Sequence, residues 1–389
     1  MRFLARQREV LTARGVRPLL TIGLLARLPI GMTALGLILL LRGAHRSYAL
    51  AGLADGAFAL GVGVAQPLLG RMVDRIGLRR VILPLAVAFP AGLVAIALKG
   101  AAAPALALSA LAFATGALFP PIGAAMRAIW PQLVSAALRP TAYSIEAIVQ
   151  EFTFIVGPPA VAALAATTSP RDALLCVAGF GGVGSGVFSL IAHRSTAPAT
   201  PTSSRALQSR AARAILSLSL LLGASFGAEE VSMPAFAEHH GSRAAAGALL
   251  AALALGSLLG GVLFAGRTTE GNVIARLERG LVLCGLAVAP LFLARSLAGM
   301  GALMVIAGLP IAPTFAAQYL LLDRVALAGT ATETFAWNTT AIFAGAALGN
   351  ALGGVVIAAA SYRASLGLAL GFALVSGLLA LVRSRELLE

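Results

Sequence analysis

The stretch Gly70-Arg71-Met72-Val73-Asp74-Arg75-Ile76-Gly77-Leu78-Arg79-Arg80 is a short charged island between two apolar runs. The first run ends Gln66-Pro67-Leu68-Leu69 and the second begins Val81-Ile82-Leu83, so the island reads as a tight turn joining two membrane-spanning helices. Gly70 lets two helix ends approach closely and Gly77 permits the turn. Asp74 suits a helix N-terminus, and the arginines stay in water.

The surrounding composition agrees. Of 389 residues, 59% are hydrophobic and 11% charged, and the mean hydropathy of +0.92 is far too apolar for a soluble protein of this length. Twelve apolar stretches of spanning length, from 18–41 to 362–382, define an all-α multi-pass protein whose partner is the lipid bilayer. The net charge of +14 does not signal nucleic acid, because the arginines fall in short loops. Counted on alternate loops, Lys and Arg number 21 against 7, with Arg27 inside a span. The excess places both termini in the cytoplasm of a cell (inner) membrane. The basic N-terminus and the long apolar run to Leu41 read as a retained first span. Residues 193–212, rich in Ser, Thr, Pro and Ala, form a cytoplasmic linker between an N-terminal bundle, 1–192, and a C-terminal bundle, 213–389.

The halves repeat. Gly116, Pro121 and Gly157 match Gly308, Pro313 and Gly349 at one constant offset of 192, and Gly70-Arg71-x-x-Asp74 recurs in degenerate form as Gly266-Arg267-x-x-Glu270. The expected architecture is twelve transmembrane helices in two six-helix bundles related by a pseudo-twofold axis, with a substrate cavity between them.

With its G-x-x-x-D-R-x-G-x-R-R spacing, the island resembles the loop between helices 2 and 3 of the major facilitator superfamily, although Leu78 stands where a basic residue is usual. The resemblance covers the whole chain and implies a gating loop of Gly70, Asp74, Arg75, Gly77, Arg79 and Arg80. In it, Asp74 meets the N-terminus of helix 11, where Thr330 or Thr332 is a plausible cap, and locks the cytoplasmic gate. Gly157-Pro158 resembles the helix-5 motif of drug/proton antiporters, with Val161 and Ala162 in place of its usual glycines.

Polar residues inside the spans are the remaining signal, since each ionised group at a helix centre costs about 2.5–3.5 kcal/mol unless it is paired or wet. By residue count along the apolar runs, Arg27 and Asp55 reach similar depths. They are expected to pair, either as a permanent bridge or with Asp55 protonated in part of a transport cycle. Glu146 and Gln150 share a helix face, with Glu146 expected to anchor Arg127, while Glu151 turns away and is the better proton carrier. Gln150, Glu229, Glu230, Trp337 and Asn338 are the candidate cavity residues. The neighbouring Glu229 and Glu230 either share a proton or sit solvated at the rim.

The glycine run 179–186 lies inside a span and reads as close helix packing, and Glu238-His239-His240 does not have the geometry of a metal site. No nucleotide-binding or catalytic motif is present, so neither an enzyme nor a cofactor or metal is expected. The expected function is secondary active transport of a small organic compound by a monomer, coupled to protons and directed outward. Proton-linked uptake and a non-transporting receptor on the same fold are the alternatives.

Overall fold

The computed structural model describes residues 2–46, 48–100, 102–192, 205–241, 245–264 and 272–383. The degenerate loop copy at 266–270 and the first part of the linker, 193–204, lie outside the described residues. A short amphipathic helix, α1 (Arg2–Thr12), precedes the first span and was not foreseen as a separate element. The first half then runs α2 (Val16–Gly43), α3 (Tyr48–Ile76), α4 (Leu78–Ala95), α5 (Ala105–Ala117), α6 (Ile122–Leu133), α7 (Arg139–Thr167) and α8 (Pro170–Ala192). The second runs α9 (Arg210–His239), α10 (Ala245–Phe264), α11 (Val273–Val288), α12 (Leu297–Gly308), α13 (Ile311–Val325), α14 (Ala331–Ala359) and α15 (Tyr362–Val382).

Among the described residues eleven spans are long and apolar enough to cross a membrane. The twelfth is α11, whose 16 residues continue into a 3-10 turn over Ala289–Leu293. Two spans are broken at prolines, α5/α6 before Pro120-Pro121 and α12/α13 at Pro310, where a missing N–H and a fixed φ interrupt the ladder. Side chains such as Leu106, 84% exposed, and Val382, 79% exposed, face outward as a lipid-contacting surface requires.

The charged island is itself helical. α3 continues to Ile76 and α4 starts at Leu78, leaving Gly77 alone as the turn, at a φ of 95° that side chains avoid. Gly70 also does what its position suggests, because a methyl there would come 2.8 Å from the Thr332 carbonyl and 2.9 Å from the Ala336 methyl.

The internal repeat is visible in the element bounds. α7 runs 139 to 167 and α14 runs 331 to 359, a shift of 192 at both ends, and α5 and α8 start 192 residues before α12 and α15. The repeated glycines perform the same task in each half. A methyl on Gly116 would overlap the Phe58 carbonyl, and one on Gly308 the Leu253 carbonyl. Gly157 packs on the Gly31 backbone of α2, and Gly349 on the Ala224 carbonyl of α9. Gly181, Gly182 and Gly184 likewise press α8 against Phe89, Pro90 and Ala26. Lipid tails are as apolar as leucine, so close backbone approach rather than hydrophobic burial holds such helices together.

Replacing Gly157 or Gly349 by Val should therefore destabilise the protein by about 1–3 kcal/mol or more through overpacking. Gly354→Ala, a position with nothing within 4 Å, should leave stability unchanged or raise it slightly. Thermal unfolding of the detergent-solubilised variants separates the two classes, and equal losses at all three positions would contradict the packing role.

Candidate transport site

The spans alternate in direction, so the N-termini of α2 and α9, the α3/α4 turn, and the ends of α6 and α13 share one side of the molecule. This is termed the basic face. Here the halves are tied together. Asp74 Oδ1 accepts from the Thr332 N–H at 3.0 Å and Oδ2 from the Glu333 N–H at 2.8 Å, so a carboxylate of the first half caps α14 of the second. Thr330 occupies the cap position but its side chain makes no capping bond, and Thr332 supplies a backbone donor rather than a cap.

A second tie joins Arg139 Nη1 to Asp323 Oδ2 at 3.3 Å, with the Tyr143 hydroxyl also facing Asp323. Tyr143, Tyr319 and Phe335 form an aromatic cluster across the same seam, with ring centroids 6.2–6.5 Å apart. Deeper in, the Thr340 hydroxyl donates to the Gly63 carbonyl at 2.7 Å, extending the α3–α14 contact along the seam.

The Arg27–Asp55 pair does not form. Arg27 Nη1 lies 2.8 Å from Glu146 Oε1 instead. The expectation placed the end of the second span at residue 70, whereas α3 runs six residues further. Counted from the basic ends of their helices, Arg27 is about 16 Å deep and Asp55 about 31 Å, a gap no side chain closes. The Arg27 Cα–Cβ bond tilts towards the helix N-terminus, which carries its guanidinium towards the basic face and Glu146.

Glu146 also attracts Arg127, Nε to Oε1 at 3.7 Å, as its depth implied. Its second oxygen accepts from the Trp130 indole N–H at 3.4 Å. Arg127 donates to Gln150 Oε1 at 3.1 Å and stacks 4.3 Å from the centre of the Tyr319 ring, in the other half. Arg27, Arg127 and Glu146 are all buried. Trp130 and Tyr319 were missed as members of this cluster; only the placement of Trp130 three residues after Arg127, on the same helix face, hinted at one of them.

The second half holds a neutral counterpart. The Ser219 hydroxyl and Gln318 Nε2 each approach Asn338 Oδ1 at 2.8 Å, and Gln318 also contacts Ser219. Ser219 and Asn338 stand 192 residues after Arg27 and Glu146, and Gln318 stands 191 after Arg127. Asn338 is thus buried inside the C-terminal bundle rather than on a cavity wall.

Glu229 is also turned inward. It is buried, and Ser225, its hydrogen-bonding neighbour at 3.1 Å, contacts the Ala369 carbonyl of α15 at 2.9 Å. Adjacent residues on a helix point about 100° apart, so Glu230 is exposed while Glu229 is not. Glu230 faces Asn350 and lies within electrostatic reach of Asp55 across the seam. Asp55, Gln150, Glu151 and Trp337 keep partial exposure, and Glu151 faces Ser257 of α10. The seam is therefore tied at the basic face, and acidic groups line it towards the other end.

The family model of the Major Facilitator Superfamily matches residues 19–334. The chain belongs to this superfamily. It is a multi-pass membrane transporter rather than an enzyme. Among curated proteins no sequence match is found. Solved structures of similar fold include a bacterial homologue of the iron transporter ferroportin in an outward-facing state, with a TM-score of 0.77, 15% identity, and 96% of this chain and 100% of that chain covered. Another is the human organic anion transporter MFSD10 (TETRAN), with a TM-score of 0.69, 18% identity and coverage of 94% and 99%. Both resemblances concern the superfamily fold alone.

Removing Glu146 leaves two buried guanidiniums without their shared carboxylate, so Glu146→Asn should cost about 3–5 kcal/mol. The triple variant Arg27→Ser, Glu146→Asn, Arg127→Gln, which copies the neutral cluster of the second half, should recover most of that loss. Melting temperatures of purified single and triple variants test this, and a triple variant no better than the single one would contradict it.

Proposed function

We propose that this transporter exports a small organic compound by proton-coupled alternating access, with the basic face in the cytoplasm of a cell inner membrane. The seam carries this reading: it is closed at the basic face by the Asp74 and Arg139 ties, and partly exposed carboxylates line it towards the opposite face. The arginine excess of the loops on the basic face supports the orientation. The outward-facing state of the ferroportin homologue, a relative in fold, is consistent with it. Efflux rests on the resemblance of Gly157-Pro158 to the exchanger motif. That glycine also packs α7 on α2, which couples the pair to the relative position of two helices around the site.

In the proposed cycle Asp55 and Glu151 exchange protons with the two sides. Glu151 faces the Ser257 hydroxyl across the seam, so gaining or losing a proton changes the charge where the halves meet. The loop Gly70, Asp74, Arg75, Gly77, Arg79, Arg80 governs closure of the cytoplasmic gate, and the N-terminus of α14 is the element it grips. Each protomer holds a complete seam between its own halves, which supports a working monomer.

Two measurements test this. In liposomes with an internal pH dye, wild-type protein should couple compound movement to proton flux. Asp55→Asn or Glu151→Gln should abolish the proton component, and compound movement without proton flux in wild type would overturn the coupling. Asp74→Asn removes the anionic cap, worth about 0.5–2 kcal/mol, and should shift the population towards opening at the basic face. Distances between spin labels at positions 79 and 328 should lengthen in that variant; an unchanged distribution with slowed transport would refute gating through the cap.

A further inference from the structure

We propose that the buried Arg27–Glu146–Arg127 cluster is the docking site for an anionic group on the transported compound, which makes the substrate a small organic acid. The proposal rests on the transport reading and narrows its substrate class. The first argument is charge arithmetic. Among the described residues the two guanidiniums share one carboxylate, so the cluster has two cationic side chains against one anionic one. The other contacts of Arg127 are neutral, Gln150 and the Tyr319 ring, while the Trp130 indole N–H donates to Glu146. Glu151 lies near enough to Tyr319 to interact with it, but it faces Ser257 and joins no ion pair with either arginine. Among the described residues Arg27 Nε and Arg127 Nε are buried donors that make no hydrogen bond, Arg127 Nε standing 3.7 Å from Glu146 Oε1.

The second argument comes from the repeat. At the equivalent place in the other half, Ser219, Gln318 and Asn338 bridge the corresponding three spans without any charge. The architecture therefore does not require charge there, and two arginines within a membrane span are costly unless something uses them.

The third is position. The Arg127–Tyr319 stack crosses the seam, close to the ties that must break when the halves part at the basic face. Parting withdraws the Tyr319 ring and uncovers the guanidinium towards the new opening. An anionic oxygen then replaces the weaker π face and satisfies the free N–H donors, with Gln150 beside it. The substrate anion thus binds most strongly in the state open to the basic face, where an exporter must load.

The test is binding to purified protein by thermal-shift titration, with hexanoate, benzoate and naphthoate as probes, each beside its amide and its amine. Carboxylates should stabilise the protein, and the matched amides and amines should not. Arg127→Gln should weaken carboxylate binding roughly tenfold or more, as expected for loss of a charge-assisted partner. Glu146→Gln, which raises the surplus charge, should strengthen it. These opposite signs separate a docking site from a structural bridge, for which both substitutions would act alike. If Arg127→Gln fails to fold, Arg127→Lys keeps the charge without the planar fork and should bind carboxylates more weakly but still selectively. Amides or amines binding as well as carboxylates, no carboxylate binding, or weakening by Glu146→Gln would each overturn the proposal. Carboxylate binding without movement in proteoliposomes would leave the site standing and remove the transport reading; coupled movement of amides or amines alone would do the reverse.

Discussion

Close backbone contact at glycine is the constraint on which this structure depends. In lipid, helices gain nothing by hiding apolar side chains from one another, so association needs surfaces that fit at short range. Gly116, Gly157, Gly308 and Gly349 supply such surfaces at equivalent crossings in the two halves, and Gly70 supplies one between the halves. The first four make two rigid bodies. The last brings those bodies close enough for Asp74 to reach the free N–H groups of α14. The gate is thus a polar interaction at a helix end, superimposed on a scaffold held by packing.

That division explains why the gate can be a switch. A packed glycine crossing has one good arrangement, because any slide creates overlap or a void. A carboxylate on a helix N-terminus can be exchanged for water at modest cost once the halves part and water reaches the N–H groups it leaves. The Arg139–Asp323 bridge is of the same kind, partly exposed and exchangeable. Apart from the Gly70 crossing, strong contacts lie within the halves and replaceable ones between them at this face, so rigid-body rocking is the motion that disturbs least.

Much of this was legible in the residues. Twelve spans, the repeat at 192 and a turn allowed by Gly77 follow from patterns with few alternatives, and the approach of Asp74 to the start of α14 was implied by the superfamily resemblance. The depths of polar groups were less legible. Hydropathy stopped the second span at residue 70, because Arg71, Asp74 and Arg75 look like loop, yet the helix carries them to Ile76. That shift separated Arg27 from Asp55 and left Glu146 as its partner. The facing of Glu229 and Asn338 was also hidden, because polar residues in a membrane helix point either to a cavity or to a neighbouring helix. Only contacts such as Ser225 with Ala369, or Ser219 with Asn338, distinguish the two. Helix α1 was masked by its charge, which reads as a loop until its buried Val10 is placed against the bundle.

The contrast between the two polar clusters is the asymmetry in an otherwise repeated molecule. Duplication preserved the geometry in which one residue on each of three spans meets near the basic face, and the halves then diverged in chemistry. Charge is concentrated in the first half, as Arg27, Arg127 and Glu146, while the second half offers Ser219, Gln318 and Asn338 at the same places. Neutral hydrogen bonds tie three spans together without creating a field. A cluster with two guanidiniums and one carboxylate ties them equally and also projects a positive potential onto the seam through Arg127 and the Tyr319 face. Since rocking moves the second half relative to the first, that fixed charge meets a different partner surface in each state. One charged half and one neutral half therefore make the energy of the seam depend on what occupies it, which symmetric clusters of either kind would do less well.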